Sequence, residues 1–165
     1  MMQFNAIRLA RIAIFTAMSV IGAFIKIPCP IGTIALDSCP GYFSALAFGY
    51  FEGALVAGLG HIITSANVGF PLGPLHILIA LFMMVVVVLF RLVYHCFPAS
   101  SCSLRLVVGV VMSATLNGFG ALIFSPVIEW SLALTITPSL ILASYINATL
   151  AALVFKYIRR SEVSG

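Results

Sequence analysis

Ser65 to His76 reads SANVGFPLGPLH and sets an Asn, two Pro, two Gly and a His between two long apolar runs. Gly and Pro punctuate helices, so this stretch reads as a tight reversal that closes one helix and opens the next. The compact Gly-Phe-Pro-Leu-Gly core turns the chain within a few residues, where freed backbone groups still need hydrogen-bond partners. The glycines and prolines are explained without any ligand. Whether Asn67, Phe70 and His76 serve only the turn or also reach a bound molecule depends on where the turn sits.

Composition sets the surroundings. Of 165 residues, 62% are hydrophobic and only 7% charged, with a mean hydropathy of +1.21; soluble domains carry about 25% charged residues. The chain therefore reads as an all-α integral membrane protein. A spanning helix takes about 20 residues, so residues 1–165 hold six or seven spans at most as a single membrane domain, with no room for a separate soluble one. The formal net charge is +4, but the basic residues stand at segment ends rather than along one face, which points to topology and not to nucleic-acid binding. Phe4–Ile27 carries Arg8 and Arg11 near its start. Its apolar run exceeds that of a cleaved signal and further spans follow, so it reads as a retained helix.

Apolar runs between turn formers give helices at Phe4–Ile27, Pro40–Tyr50, Glu52–Val68, Leu72–His95, Leu104–Phe124 and Pro138–Ile158. Pro40 and Pro138 each follow a Ser, Cys or Thr and read as first-turn prolines. As one helix, Pro40–Asn67 would run roughly 42 Å and bury Glu52 near its middle, too long for a hydrocarbon core of about 30 Å; the break is placed at Tyr50–Gly53. Six spans put Arg8, Arg11, Arg91, Arg105, Lys156, Arg159 and Arg160 on one side with Lys26 alone opposite, and the positive-inside rule makes both termini cytoplasmic. Three outer connections result: Pro28–Cys39, Val68–Pro71 and Ser125–Thr137. Cys29 and Cys39 flank the first, where an oxidising exterior permits a disulfide, while Cys96 and Cys102 are most simply free thiols.

The chain has no GxxxxGK[ST] phosphate loop, HExxH, CxxC or GxSxG, so binding rather than catalysis is expected, with no cofactor and no metal. Polar side chains in spans usually face a bundle interior or cavity, which singles out His61, His76, Asn117 and, more weakly, Asn147. Each can equally bond a neighbouring helix. The helix directions bring His61, His76 and Asn117 toward one outward-facing pocket. Asp37 either caps the helix at Pro40 or meets a ligand; Tyr42 and Trp130 are interface anchors or pocket aromatics. On the first helix, Ala6, Ala10, Ala13 and Ala17 recur at helical spacing, a small-residue face that admits a close helix, from within the chain or from a partner. An intramembrane enzyme using His61, His76 and Asp37 has no motif-level spacing behind it, and a ligand-free structural subunit is the remaining contrast.

An alanine-rich first helix, the loop IPCPIGTIALDSCPGYFSALAFG and the run GALVAGLGHIITSANVGFPLGPLHILIA together resemble a substrate-binding S component of an energy-coupling factor (ECF) vitamin transporter, over nearly the whole chain. Within that family the chain is most similar to S components assigned to α-ribazole, a cobalamin precursor. The resemblance implies a six-helix fold in the plasma membrane and a vitamin site near the outer face. It also implies a membrane T component and two cytoplasmic ATPases as partners for ATP-driven uptake. The family's Ala-xxx-Ala docking signature matches Ala13 and Ala17. An α-ribazole site would need apolar walls, for which Tyr42, Phe70, Phe119 and Trp130 are available, and a few polar contacts from Asp37, His61, Asn67, His76 and Asn117. Pantothenate would want a cation for its carboxylate, and Lys26 alone is on that side; cobalamin is a further alternative.

Overall fold

The computed structural model describes residues 5–29, 32–98 and 102–164. Its elements run α1 (Ala6–Phe24), β1 (Lys26–Cys29), β2 (Gly32–Ala35), α2 (Cys39–Ala47), α3 (Tyr50–Asn67), α4 (Leu75–Cys96), α5 (Cys102–Ile123), α6 (Ser125–Ile128) and α7 (Trp130–Ser164). Asn5 caps α1 by accepting the Arg8 backbone N–H at 2.9 Å. Ile12, Thr16, Ser19 and Gly22 turn one stripe of α1 inward, while Ala13 and Ala17 are exposed. The strands form an antiparallel hairpin, Lys26 opposite Ala35 and Ile27 opposite Ile34, where only a loop was expected. It docks onto α1 at Gly22, whose carbonyl accepts the Leu36 N–H at 3.0 Å.

Helices α2 and α3 are separate, as expected, but the break falls at Phe48–Gly49. Gly49 has φ 140°, a conformation that residues with a Cβ rarely adopt. The two helices then pack so closely that a Cβ on Gly53 would lie 2.5 Å from Ala45 Cα. Helix α5 packs mainly on α7, and α3 on α4. The core gathers Tyr42, Val86, Val87, Phe90, Tyr94, Ala148 and Ala151 from α2, α4 and α7. Asn147, 1% exposed, is a structural tie: its Oδ1 accepts the Cys39 N–H at 2.8 Å, and its Nδ2 donates to Ala35 O at 2.9 Å and to Ala143 O at 2.8 Å.

The expectation of six spanning helices is met in part, and one expected loop is corrected. Seven helices are present among the described residues, and four of them, α1, α4, α5 and α7, are long and apolar enough to cross a membrane. Nine-residue α2 is too short for that length, and Glu52, His61, Thr64, Ser65 and Asn67 interrupt α3. The outer loop expected at Ser125–Thr137 is helical: α6 is followed by a 35-residue α7 with Pro138 in its interior. Proline lacks the N–H of a helical bond and costs about 3 kcal/mol in a helix interior, which is why it reads as a start. Here the preceding two turns are held by tertiary packing, since Ala133 is fully buried against Leu75 and Ile128. Thr137 Oγ1 also donates to Ala133 O at 2.8 Å.

The reversal between α3 and α4 is hydrogen-bonded throughout: Phe70 N–H donates to Ser65 O at 2.9 Å, Gly69 N–H to Ala66 O at 3.0 Å and Gly73 N–H to Phe70 O at 2.7 Å. Gly69 and Gly73 take positive φ, as the turn demands, and so does Phe70, at 50°. Cys39 and Cys96 are free thiols; the side chains of Cys29 and Cys102 lie outside the described ones.

Candidate functional site

One end of the bundle encloses a cavity of about 250 Å³, between the ends of α3, α4, α5 and α7 and the link from β2 to α2. Its apolar wall includes Ile79, Phe82, Met83, Phe124, Ile136 and Leu140, and its polar groups are Asp37, Ser38, His61, Asn117 and Ser144. Gly120 keeps the α5 wall close to α4, since a Cβ there would meet the Phe82 ring. Among the described residues no Lys or Arg lines the cavity. Small-molecule sites have this make-up, apolar with a few placed polar groups.

Asp37 stands on the link into α2. The helix begins after Ser38 with no side-chain cap; the Asp37 carboxylate instead accepts from Ser38 Oγ at 3.3 Å and Thr64 Oγ1 at 3.4 Å. Burial pushes this carboxyl above the ordinary carboxylate range, and the two hydroxyl bonds oppose part of that rise. Thr64 Oγ1 also lies 3.1 Å from His61 O, which ties Asp37 to the helix turn that carries His61. On the opposite wall, Asn117 Nδ2 is 3.5 Å from Leu140 O. Ser144 Oγ lies 3.4 Å from Ser113 O and 2.7 Å from the hydroxyl of buried Tyr42.

His76 stands behind His61. Its Nδ1 is 3.2 Å from His61 Nε2 and 3.0 Å from Ser65 Oγ, and its Nε2 accepts the Leu72 N–H at 3.3 Å. The Phe70 ring lies 5.8 Å from the His76 ring. Of the residues singled out in the sequence, Asp37, His61 and Asn117 thus line the cavity, His76 supports His61, and Tyr42 lies behind Ser144. Asn67, Phe70 and Trp130 do not line it; Trp130 is 61% exposed. Ser144 and the apolar wall carried no sequence signal that set them apart from other span residues, and Ser38 stands out only as the neighbour of Asp37 before Pro40. Among the described residues no three His, Cys, Asp or Glu side chains group as a metal site.

The opposite end is basic and aromatic. Arg8 Nε pairs with Glu52 Oε1 at 2.6 Å; Arg11 lies over Phe48, Arg91 over Tyr50 and Arg105 over Tyr94, at 4.7, 4.9 and 4.2 Å from the ring centroids. Arg91 also donates to the Ala45 and Leu46 carbonyls that end α2, satisfying orphan acceptors of a short helix.

Residues 7–159 match the family model described as ECF transporter, substrate-specific component. The chain belongs to that family. Substrate-specific (S) components bind small-molecule substrates and work with a T component and ATPase subunits; they are not themselves enzymes. A solved structure described as the S component of a bacterial ECF transporter is similar in fold, with a TM-score of 0.62, 17% identity and 95% of each chain covered. Among curated proteins no sequence matches the chain. The ECF assignment and the apolar helices make this a multi-pass membrane protein.

Proposed function

We propose that this S component captures α-ribazole, a cobalamin precursor, in the cavity bounded by Asp37, His61, Asn117 and Ser144, for ATP-driven uptake across the plasma membrane. The observation that carries the reading is the cavity's chemistry: an apolar wall with hydroxyl, carboxyl, imidazole and amide groups and no Lys or Arg. The dimethylbenzimidazole would lie against Phe82, Met83 and Phe124, and the ribose hydroxyls would meet the polar groups. A carboxylate ligand such as pantothenate would find no cation there.

The chain crosses the membrane six times in this reading, with α2 and α3 completing the bundle and both termini cytoplasmic. Support comes from the gathering of Arg8, Arg11, Arg91, Arg105 and Arg159 at the end away from the cavity, which the positive-inside rule places in the cytoplasm. Ala13 and Ala17 dock the T component. Their exposure on α1, opposite its buried stripe, leaves that face open to a close helix. Titration of purified protein with α-ribazole and, separately, pantothenate tests the ligand. Saturable binding of α-ribazole alone is expected; no binding of α-ribazole at micromolar concentration would overturn the assignment and leave another water-soluble vitamin in its place.

A further inference from the structure

The two histidines carry more information than their positions. A backbone N–H can only donate, so the Leu72 N–H contact requires an unprotonated Nε2 on His76. A neutral His76 then carries its proton on Nδ1, the nitrogen facing His61 Nε2 and Ser65 Oγ. Were His61 also protonated on Nε2, two N–H groups would point at each other across 3.2 Å. His61 Nε2 must therefore accept, which places its own proton on Nδ1. Among the described residues no hydrogen bond is made by that nitrogen, and His61 lines the cavity.

We propose that the chain Leu72 N–H, His76, His61 fixes His61 as a hydrogen-bond donor beside the Asp37 acceptor, and that the pair reads a neutral ligand through adjacent hydroxyl groups. The proposal rests on the cavity being the ligand site. Thr64 Oγ1, in contact with both Asp37 Oδ2 and the His61 backbone carbonyl, links the Asp37 carboxyl to the turn that carries His61, and both residues line the same cavity. A hydroxyl both donates and accepts, so of two neighbouring hydroxyls one gives its proton to the Asp37 carboxylate while the other receives the His61 Nδ1 proton. With no Lys or Arg on the wall, an anionic group at the same place would face the carboxylate unbalanced. His76 is a positioning residue. It sits in the first turn of α4 and acts on the ligand only through the tautomer of His61.

The test begins without ligand. Nitrogen-15 NMR of histidine-labelled protein in nanodiscs should show His61 protonated on Nδ1 and bare on Nε2; the reverse tautomer in the wild type overturns the proposal. His76→Phe removes the donor and should return His61 to the Nε2–H form that the free side chain favours in water. His76→Gln, whose amide can both accept from Leu72 and donate to His61, should retain Nδ1–H. For α-ribazole, His76→Phe should lose roughly tenfold in affinity, the worth of one hydrogen bond, and His76→Gln should recover most of it. Equal affinities in wild type and His76→Phe would overturn the role of His76. Failure of the wild type to bind α-ribazole would remove the hydroxyl-pair reading with the ligand assignment, while the tautomer stands or falls on its own spectrum.

Discussion

The two ends of this bundle hold polar groups in opposite ways. At the basic end the charges are directed at the protein itself, Arg8 at Glu52, Arg91 at the α2 carbonyls and Arg105 at the Tyr94 carbonyl at 2.5 Å, although Glu52 Oε2 and Arg91 Nε are buried there with no hydrogen-bond partner. At the cavity end the polar groups are weakly engaged, with Asp37 held by hydroxyls at 3.3 and 3.4 Å and Asn117 at 3.5 Å. A polar group buried without strong partners costs stability, and such a cost is tolerated where a ligand supplies the missing bonds. Weak engagement alone does not mark a site, since Glu52 Oε2 and Arg91 Nε also lack partners; it does so where the weakly held groups share the wall of one cavity, as Asp37 and Asn117 do.

Substitutions can break that contrast, and the largest effect should come from Asn147, the polar residue at the cavity end that is fully spent. Asn147→Ala would strand the Cys39 N–H and the Ala35 carbonyl, costing about 2–4 kcal/mol. Thermal unfolding in detergent should show the loss, with Tm falling further than for any cavity-lining change. Asp37→Asn should do the reverse, leaving the fold intact while weakening α-ribazole binding roughly 10- to 100-fold at a pH above the raised Asp37 value, the range of a hydrogen bond to a charged group.

The pH dependence sharpens the same point. Burial raises the Asp37 carboxyl, so the folded chain holds that proton more tightly than the unfolded one. The stability it contributes is fully present below the ordinary carboxylate range and is lost as pH rises through the folded value. A ligand hydroxyl donating to the carboxylate favours the ionised form, so affinity should fall as pH drops below that value. Melts and titrations across pH 4–8 (a range of about four units around the carboxylate and neutral values) should show both slopes in the wild type, and Asp37→Asn should flatten them.

Smaller effects belong to residues that each end can spare. Arg11→Ala removes a cation–π contact with Phe48 and should cost about 0.5–1 kcal/mol with no change in α-ribazole affinity. Trp130→Ala should leave affinity unchanged within error, because the indole is exposed and away from the cavity; a clear loss would mean that the mouth of the site extends over the start of α7.

Much of this was legible in the sequence. The break at Ser65–His76, the separation of α2 from α3 and the basic residues at segment ends all follow from Gly, Pro and charge placed against an apolar background. Asp37, His61 and Asn117 stood out for the same reason. What was not legible had no contrast to show it. Phe82, Phe124, Ile136 and Leu140 line the cavity but are apolar residues on apolar helices, and only packing decides which face they turn inward. Pro138 misled because its local preference for a helix start is overridden by the burial of Ala133 one turn earlier. The β1–β2 hairpin hides behind two prolines and a glycine, which read as loop.

The most direct test is a structure of the protein with α-ribazole bound. The benzimidazole should lie against Phe82 and Phe124, with the ribose hydroxyls within hydrogen-bonding distance of Asp37 and His61. Ligand bound instead in the groove between the outer faces of α5 and α7, beside Tyr145 and Lys156, or at the basic end, would contradict that placement.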